Sequence, residues 1–418
     1  MSAATLALAV LFVVPWSQGE EAPPADAADL VDALLSSVLG FREMAGDELQ
    51  KEVAEIGEVA FRRDVPLEFL DRRELGTYLH EALDAEYPAA KAEADARTLT
   101  AFGLLEPGTD LRRLRTRLFE ENIAGFYDDR PGRKRLYAVS ANRRLTPANQ
   151  LILAHELRHA LQDQYMDTHA LLDDGIGDFD DRRLALLALL EGDATLLMER
   201  FLLRRVPGGE DAGRELNGLS MPSPAVEGAP PVLRDQLVLP YTTGLDFARA
   251  LWQRGGWRAL RSAWGRPPRS TEQVLHPSKY VSDEAPKTVT VAFKPAHGRL
   301  VNEGVLGEML ARTLLGDGVP EDAAAGWGGD TFRVWDVSGR TLLVWRLVWD
   351  TPGDGGTFGR RLKEHLTRSQ GSGGRRGGFE LYGKGPWKFA VGERSGEVLF
   401  LSSDDETVLS SALAGIGS

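Results

Sequence analysis

The chain has 418 residues, 43% of them hydrophobic and 27% charged, which is the composition of a soluble globular protein large enough for two or three domains. Its formal net charge of −13, with no dense Lys/Arg run, excludes nucleic acid as the main partner, because phosphate binding needs a basic face. With no cysteine anywhere, disulfides, thiolate metal sites and cysteine nucleophiles are excluded together.

Residues 5–16, TLALAVLFVVPW, form an uncharged apolar run followed by Ser17, Gln18 and Gly19. The run is shorter than the ~20 residues of a comfortable membrane span and fits the apolar core of a secretion signal cleaved between Gly19 and Ala25. Only the terminal amine precedes it in place of a basic region, so an uncleaved anchor is the alternative. The expectation is residues 1–25 as signal and spacer, a secreted, periplasmic or cell-envelope location, and no stable membrane span.

Residues 26–110 read as an N-terminal helical region. LVDALLSSVL, ELQKEVAEIGEVAF, ELGTYLHEALDAEY and, beyond that region, DLRRLRTRLFEENI all space apolar residues by three and four. IAGFYDD and KRLYAVS are strand-like runs joined by the turn signal DRPGR, which predicts a β-hairpin within 123–140. A helix start follows: Thr146 suits an N-cap and Pro147 the first helical position, with the helix running to about Met166. DDGIGDFDD (173–181) clusters carboxylates as calcium sites do but lacks EF-hand spacing, so a solvated loop is expected. RRLALLALLEGDATLLMERFLL reads as a second helix, residues 205–232 as a surface loop, and LDFARALWQRGGWRALRSAW as a helix pair turning at Gly255 and Gly256.

From about residue 284 the pattern becomes mixed α/β. TVTVAFK, FRVWDV, TLLVWRLVW, FELYGK, KFAVGE and EVLFLSS read as strands. VLGEMLARTLL, FGRRLKEHL and ETVLSSALAG read as helices, and SQGSGGRRGG (369–378) as a loop. GWGGD (326–330) lacks the Lys-Ser/Thr of a phosphate cradle and is expected to turn into a strand.

Chemistry concentrates in His155-Glu156-Leu157-Arg158-His159. A helix turns about 100° per residue, so the two histidines share a face and can aim ring nitrogens at one cation, while Glu156 lies beside them as base for a metal-activated water. A catalytic zinc takes three protein ligands, and Glu191 is the candidate third. Its helix is apolar on nearly all sides, so its carboxylate needs a compensating cation, either the metal or an arginine such as Arg158. Asp193 orients a histidine or makes a structural hydrogen bond. Gln162 and Tyr165 occupy places where metzincins need Gly and His, which excludes that class, and no G-x-S-x-G elbow supports a serine hydrolase. Asp163 is expected to be exposed, His169 to lie on the surface, and His80 and His365 to be surface or boundary residues.

HExxH on one helix with a glutamate on a later one resembles the gluzincin branch of zinc metallopeptidases. AGFYDD (124–129), LAHELRHALQDQ (153–164), ALLEGDAT (188–195), LPYTTGLDFARAL (239–251), RPPRSTEQVLHPSKY (266–280) and AAAGWGGDTFRVW (323–335) further resemble a group of secreted bacterial proteins with a zincin-like core. The resemblance implies an α+β fold: a mainly helical zincin-like catalytic domain with a small β-sheet at 111–283, followed by a C-terminal mixed α/β domain at 284–418. It implies Zn2+ as cofactor, with His155, His159 and Glu191 as ligands and Glu156 as general base. It also implies a peptide or protein substrate pairing with strand 135–140. A transition-state donor is expected at His276, with Tyr241 and Tyr280 behind it, although His276-Pro277 also suits a helix end. The implied function is a secreted zinc peptidase; the alternative is a zincin-like scaffold that binds peptides without cutting them.

Overall fold

The computed structural model describes residues 41–42, 44–140, 142–172, 179–205 and 224–417. The expected signal, the LVDALLSSVL helix, and most of the loops at 173–181 and 205–232 lie outside these residues. The N-terminal part runs α1 (Gly46–Ile56), β1 (Leu67–Leu70), α2 (Arg72–Glu86), α3 (Ala89–Phe102) and α4 (Leu111–Asn122). Asp71 starts α2 with a full capping box to Glu74. Strand β1 was not legible among the helical patterns, being only four residues long.

The predicted hairpin forms from β2 (Gly125–Asp128) and β3 (Arg135–Val139), with Phe126 opposite Tyr137. The small sheet has the order β1-β3-β2, parallel on one side of β3 and antiparallel on the other. Both edges of β3 are therefore used, and the expected substrate pairing at 135–140 cannot occur there. Next comes α5 (Pro147–Met166), capped by Thr146 and opened by Pro147 as expected, lying across β2 and β3. The short α6 (Thr168–Leu172) leads towards α7 (Asp181–Leu203), which is buried on most of its circumference.

After α8 (Pro224–Glu227), α9 (Pro231–Gly265) begins well before the expected helix pair and carries Pro240 inside it. Gly255 and Gly256 leave helical geometry where the turn was expected, Gly256 having φ 61°. Two short helices, α10 (Thr271–Leu275) and α11 (Pro277–Val281), follow. Asp181, at the start of α7, accepts from Thr271 N at 2.9 Å and so ties α7 to α10.

The C-terminal part contains β4 (Gly298–Gly304), α12 (Gly307–Leu314), β5 (Trp327–Val337), β6 (Arg340–Trp349) and α13 (Pro352–Gln370). It finishes with β7 (Ser372–Arg376), β8 (Phe379–Tyr382), β9 (Lys388–Arg394), β10 (Glu397–Ser403) and α14 (Glu406–Gly417). The strands make one antiparallel sheet in the order β4-β5-β6-β10-β9-β8-β7. Ser338 and Gly339, both at positive φ, close the β5–β6 hairpin as a two-residue turn. Period-two alternation divides β6 between two cores: Leu343, Trp345 and Leu347 face α12 and α13, while Leu342 and Val344 face α14.

Two sequence expectations change here. TVTVAFK (288–294) forms no strand: its Thr290 and Val291 carbonyls accept from the Arg346 and Arg333 side chains instead of a neighbouring strand. The expected loop at 369–378 contains β7, a fully exposed edge strand paired to β8. The architecture is α+β, with a helical part around a three-stranded sheet and a strand-rich C-terminal part.

Candidate metal centre

Helix α5 places His155 and His159 one turn apart, and α7 crosses it to bring Glu191 against both. His155 Nε2 lies 3.1 Å from Glu191 Oε2, His159 Nε2 3.3 Å from the same oxygen, and the two ring nitrogens 3.0 Å from each other. Ligands held about 2.0–2.1 Å from a tetrahedral ion sit about 3.3 Å apart, so this triangle matches the donor set of a zinc site. Two imidazoles and a carboxylate at this spacing form a group that could hold a metal ion.

The arginine alternative for Glu191 is not taken. Arg158 grips Asp193 instead, Nε to Oδ2 at 3.0 Å and a second guanidinium nitrogen to Oδ1 at 2.9 Å. Trp264 Nε1 also donates to Asp193 Oδ2, and the Arg158 guanidinium lies over the Trp257 and Trp264 rings. Asp193 thus has a structural partner in Arg158 and reaches the histidines only through Gln162. The Gln162 amide donates to Asp193 Oδ2 and to the Leu190 carbonyl, while its oxygen lies 2.8 Å from His159 Nδ1. Gln162 stands three residues after His159 on the same helix face, a spacing that could have flagged it in the sequence.

Glu156 is 3% exposed and accepts from the Tyr127 backbone N–H of β2 at 2.9 Å. Burial pushes its carboxyl up to about 8. Burial also lowers His155. For His159, burial opposes the charge, but Glu191 outweighs it and holds the imidazole up to about 10. Glu191 is the complement: burial opposes its charge, and the histidines bring it down to about 2. Without metal, the site therefore stores a proton on His159 against the Glu191 carboxylate.

His276 is not part of this cluster. Its Nε2 lies 2.9 Å from Glu308 Oε1, and Pro277 opens α11 directly after it, as the helix-end reading anticipated. Tyr280 donates its hydroxyl to the Arg266 carbonyl. Tyr241 is the tyrosine at the site: its ring stacks on His155 at 5.9 Å and 19°. Its hydroxyl is buried towards Glu191, and burial, then the charges of Glu191 and Glu156 with the Glu191 contact, hold its pKa well above the usual range.

Asp163 is buried rather than exposed, because Tyr127 Oη and Lys134 Nζ both bond to it, at 2.8 and 2.7 Å. His169 is partly buried beside Asp129 rather than free on the surface. A second acidic group, Glu272, Glu284 and Asp350, already closes on a cation: Lys279 Nζ bonds to all three, at 2.6, 2.8 and 2.5 Å.

A family model described as a domain of unknown function (DUF8575) matches residues 289–414, the stretch that holds the seven-stranded sheet. No curated protein and no solved structure matches the chain.

Proposed function

We propose that the protein is an exported zinc-dependent peptidase with a gluzincin-type site. The observation that carries this reading is the 3.0–3.3 Å triangle of His155, His159 and Glu191 with Glu156 beside it. Zinc held by those three residues supplies Lewis acidity towards water and a carbonyl oxygen. Glu156, oriented by the Tyr127 N–H, takes a proton from the attacking water and passes it to the departing amine. The products are a carboxylic acid and an amine, with one water consumed per bond cut. Tyr241, its ring stacked on His155 and its buried hydroxyl beside Glu191, takes the donor role expected of His276 and turns that hydroxyl to the carbonyl oxygen as charge builds on it.

Metal analysis should find about one zinc per chain, and the zinc-loaded protein should cleave an unfolded polypeptide. Glu156→Gln should retain the zinc and lose cleavage by about 10²-fold or more. Equal cleavage by the variant refutes the role of Glu156. A zinc-loaded protein that cuts no unfolded chain favours the peptide-holding scaffold instead.

A further inference from the structure

The amide of Gln162 has both of its hydrogens committed. One goes to Asp193 Oδ2 at 2.9 Å and one to the Leu190 carbonyl at 3.0 Å. Turning the amide over would set its oxygen against a carboxylate and a carbonyl, two acceptor–acceptor contacts in a buried place. Its oxygen must therefore face His159 Nδ1 at 2.8 Å, and that nitrogen must carry the proton. The proton that His159 gives up to a metal is therefore the one on Nε2, which leaves a lone pair there pointing between His155 and Glu191.

Asp193 is the fixed point of this arrangement. Its Oδ2 also receives Arg158 Nε and Trp264 Nε1, so its charge is balanced by Arg158 and its position is set by α9. A carboxylate bonded straight to a ligand imidazole raises the basicity of that ligand. Here a neutral amide stands between them, which transmits orientation while keeping the negative charge one side chain away.

We propose that Gln162 is a positioning residue for the metal: it selects the Nδ1–H tautomer of His159 and fixes the ring through the Asp193–Arg158–Trp264 cluster. This rests on the zinc reading of the His155, His159 and Glu191 site. Gln162 touches neither substrate nor reacting atoms.

The test measures zinc dissociation from the full chain by competition with a chromophoric chelator. Gln162→Met keeps the volume and removes the hydrogen bonds, and should weaken zinc binding about 10–100-fold. Gln162→Glu, wedged between Asp193 and the Leu190 carbonyl, must carry a proton. It then offers one donor and one acceptor and should restore most of the affinity. Trp264→Phe removes a donor to Asp193 but leaves the Gln162–His159 bond, and should change zinc binding by less than about threefold. Equal losses in Gln162→Met, Gln162→Glu and Trp264→Phe would indicate packing alone and overturn the proposal. So would wild-type affinity in Gln162→Met.

A measurement on the wild type needs no variant to fold. In the zinc-loaded protein, the nitrogen-15 spectrum should show His159 metallated at Nε2 and protonated at Nδ1; the reverse overturns the proposal. If His155→Ala binds zinc as tightly as wild type, the metal reading itself fails. A zinc site that needs His155 but ignores Gln162 leaves that reading standing and removes only the present inference.

Discussion

Two sets of buried charge meet at the site, and they differ in what balances them. Arg158 and Asp193 balance each other with no exposed atom between them, so truncating one strands the other. Asp193→Ala should cost about 3–5 kcal/mol in denaturant unfolding, as removal of one partner from a buried ion pair does. Because Arg158 is stranded whether or not a metal is bound, the loss should already appear without zinc, and with zinc it should be larger by the zinc affinity that a released Gln162 costs. The second set is balanced by protons. At neutral pH the metal-free protein holds a proton on His159, whose folded pKa of about 10 lies above the ordinary 6.5. It also holds one on Glu156, at about 8 against 4.5. In both cases the folded state binds more protons than the unfolded one, so stability falls as pH rises: from about 4.5 to 8 for Glu156 and from about 6.5 to 10 for His159. The metal-free melting temperature should therefore drop between about pH 6.5 and 8, where both contributions act. Zinc binding must displace the His159 proton, and the ion's charge expels the one on Glu156. Calorimetry in buffers of different ionisation enthalpy should then find about two protons released per zinc at pH 7, and about one for Glu156→Gln. Proton release that is the same in both proteins would refute this assignment.

At the scale of elements, the site exists because α7 and α9 cross almost backbone to backbone. A Cβ on Gly192 would lie 2.0 Å from the Gly244 carbonyl oxygen, and one on Gly244 would lie 2.2 Å from the Ala188 carbonyl oxygen. Glu191 precedes Gly192, and Tyr241 sits one turn before Gly244, so this contact sets both beside His155. Gly192→Ala must force the helices apart, with an expected cost of about 1–3 kcal/mol or more. Zinc affinity should fall with it. Since Gly192 and Gly244 share one contact, adding Gly244→Ala should cost clearly less than the sum of the single changes. An additive pair would show that the two helices do not move as one. The same elements explain what was legible in the sequence. Thr146-Pro147 gave the start of α5, and the all-round apolar pattern of α7 marked Glu191 as a carboxylate needing a cation. Tyr241 was named only as a donor behind His276, and the Gly192–Gly244 crossing that brings it to the site was not legible, because Gly244 lies in a stretch broken by Pro240 and preceded by a Pro/Gly-rich run. His276 was a candidate because a peptidase of the resembled kind needs a transition-state donor, and the sequence carries no sign of its neighbour: Glu308, 32 residues on, claims it. β7 and the TVTVAFK stretch were misread for a related reason, since strand formation depends on which backbone edge lies alongside.

At the scale of the molecule, the chain passes residue 284 without dividing its core. One buried cluster joins Leu99, Phe102 and Leu118 of the N-terminal helices to Val232 and Leu233 of α9, and to Trp327, Phe332, Trp345 and Phe400 of the large sheet. Phe102 is the hinge of this packing: its ring meets Phe332 and Trp345 edge-on at 5.3 Å and lies parallel to Phe400 at 6.0 Å. Polar contacts reinforce the joint. Arg97 pairs with Asp336 at 2.8 Å, Asn302 donates to Asp95 and Thr98, and Lys279 of α11 reaches Asp350 beyond β6. Residues buried between two parts leave a large apolar face on each when either is removed, and such a face does not survive alone in water. The stretch matched by the family model thus shares its core with the helical part, even though its named strands pair only with one another. Calorimetry of the metal-free protein should show one cooperative unfolding transition in which the helical part and the sheet melt together. Phe102→Ala, at the centre of the joint, should lower that single transition by about 3–5 kcal/mol of stability, the range for a buried phenylalanine reduced to alanine. Two separated transitions, with only one shifted by Phe102→Ala, would mean that the sheet is an independent domain resting against the metal centre. In that case the α9 packing over the site would not depend on the sheet.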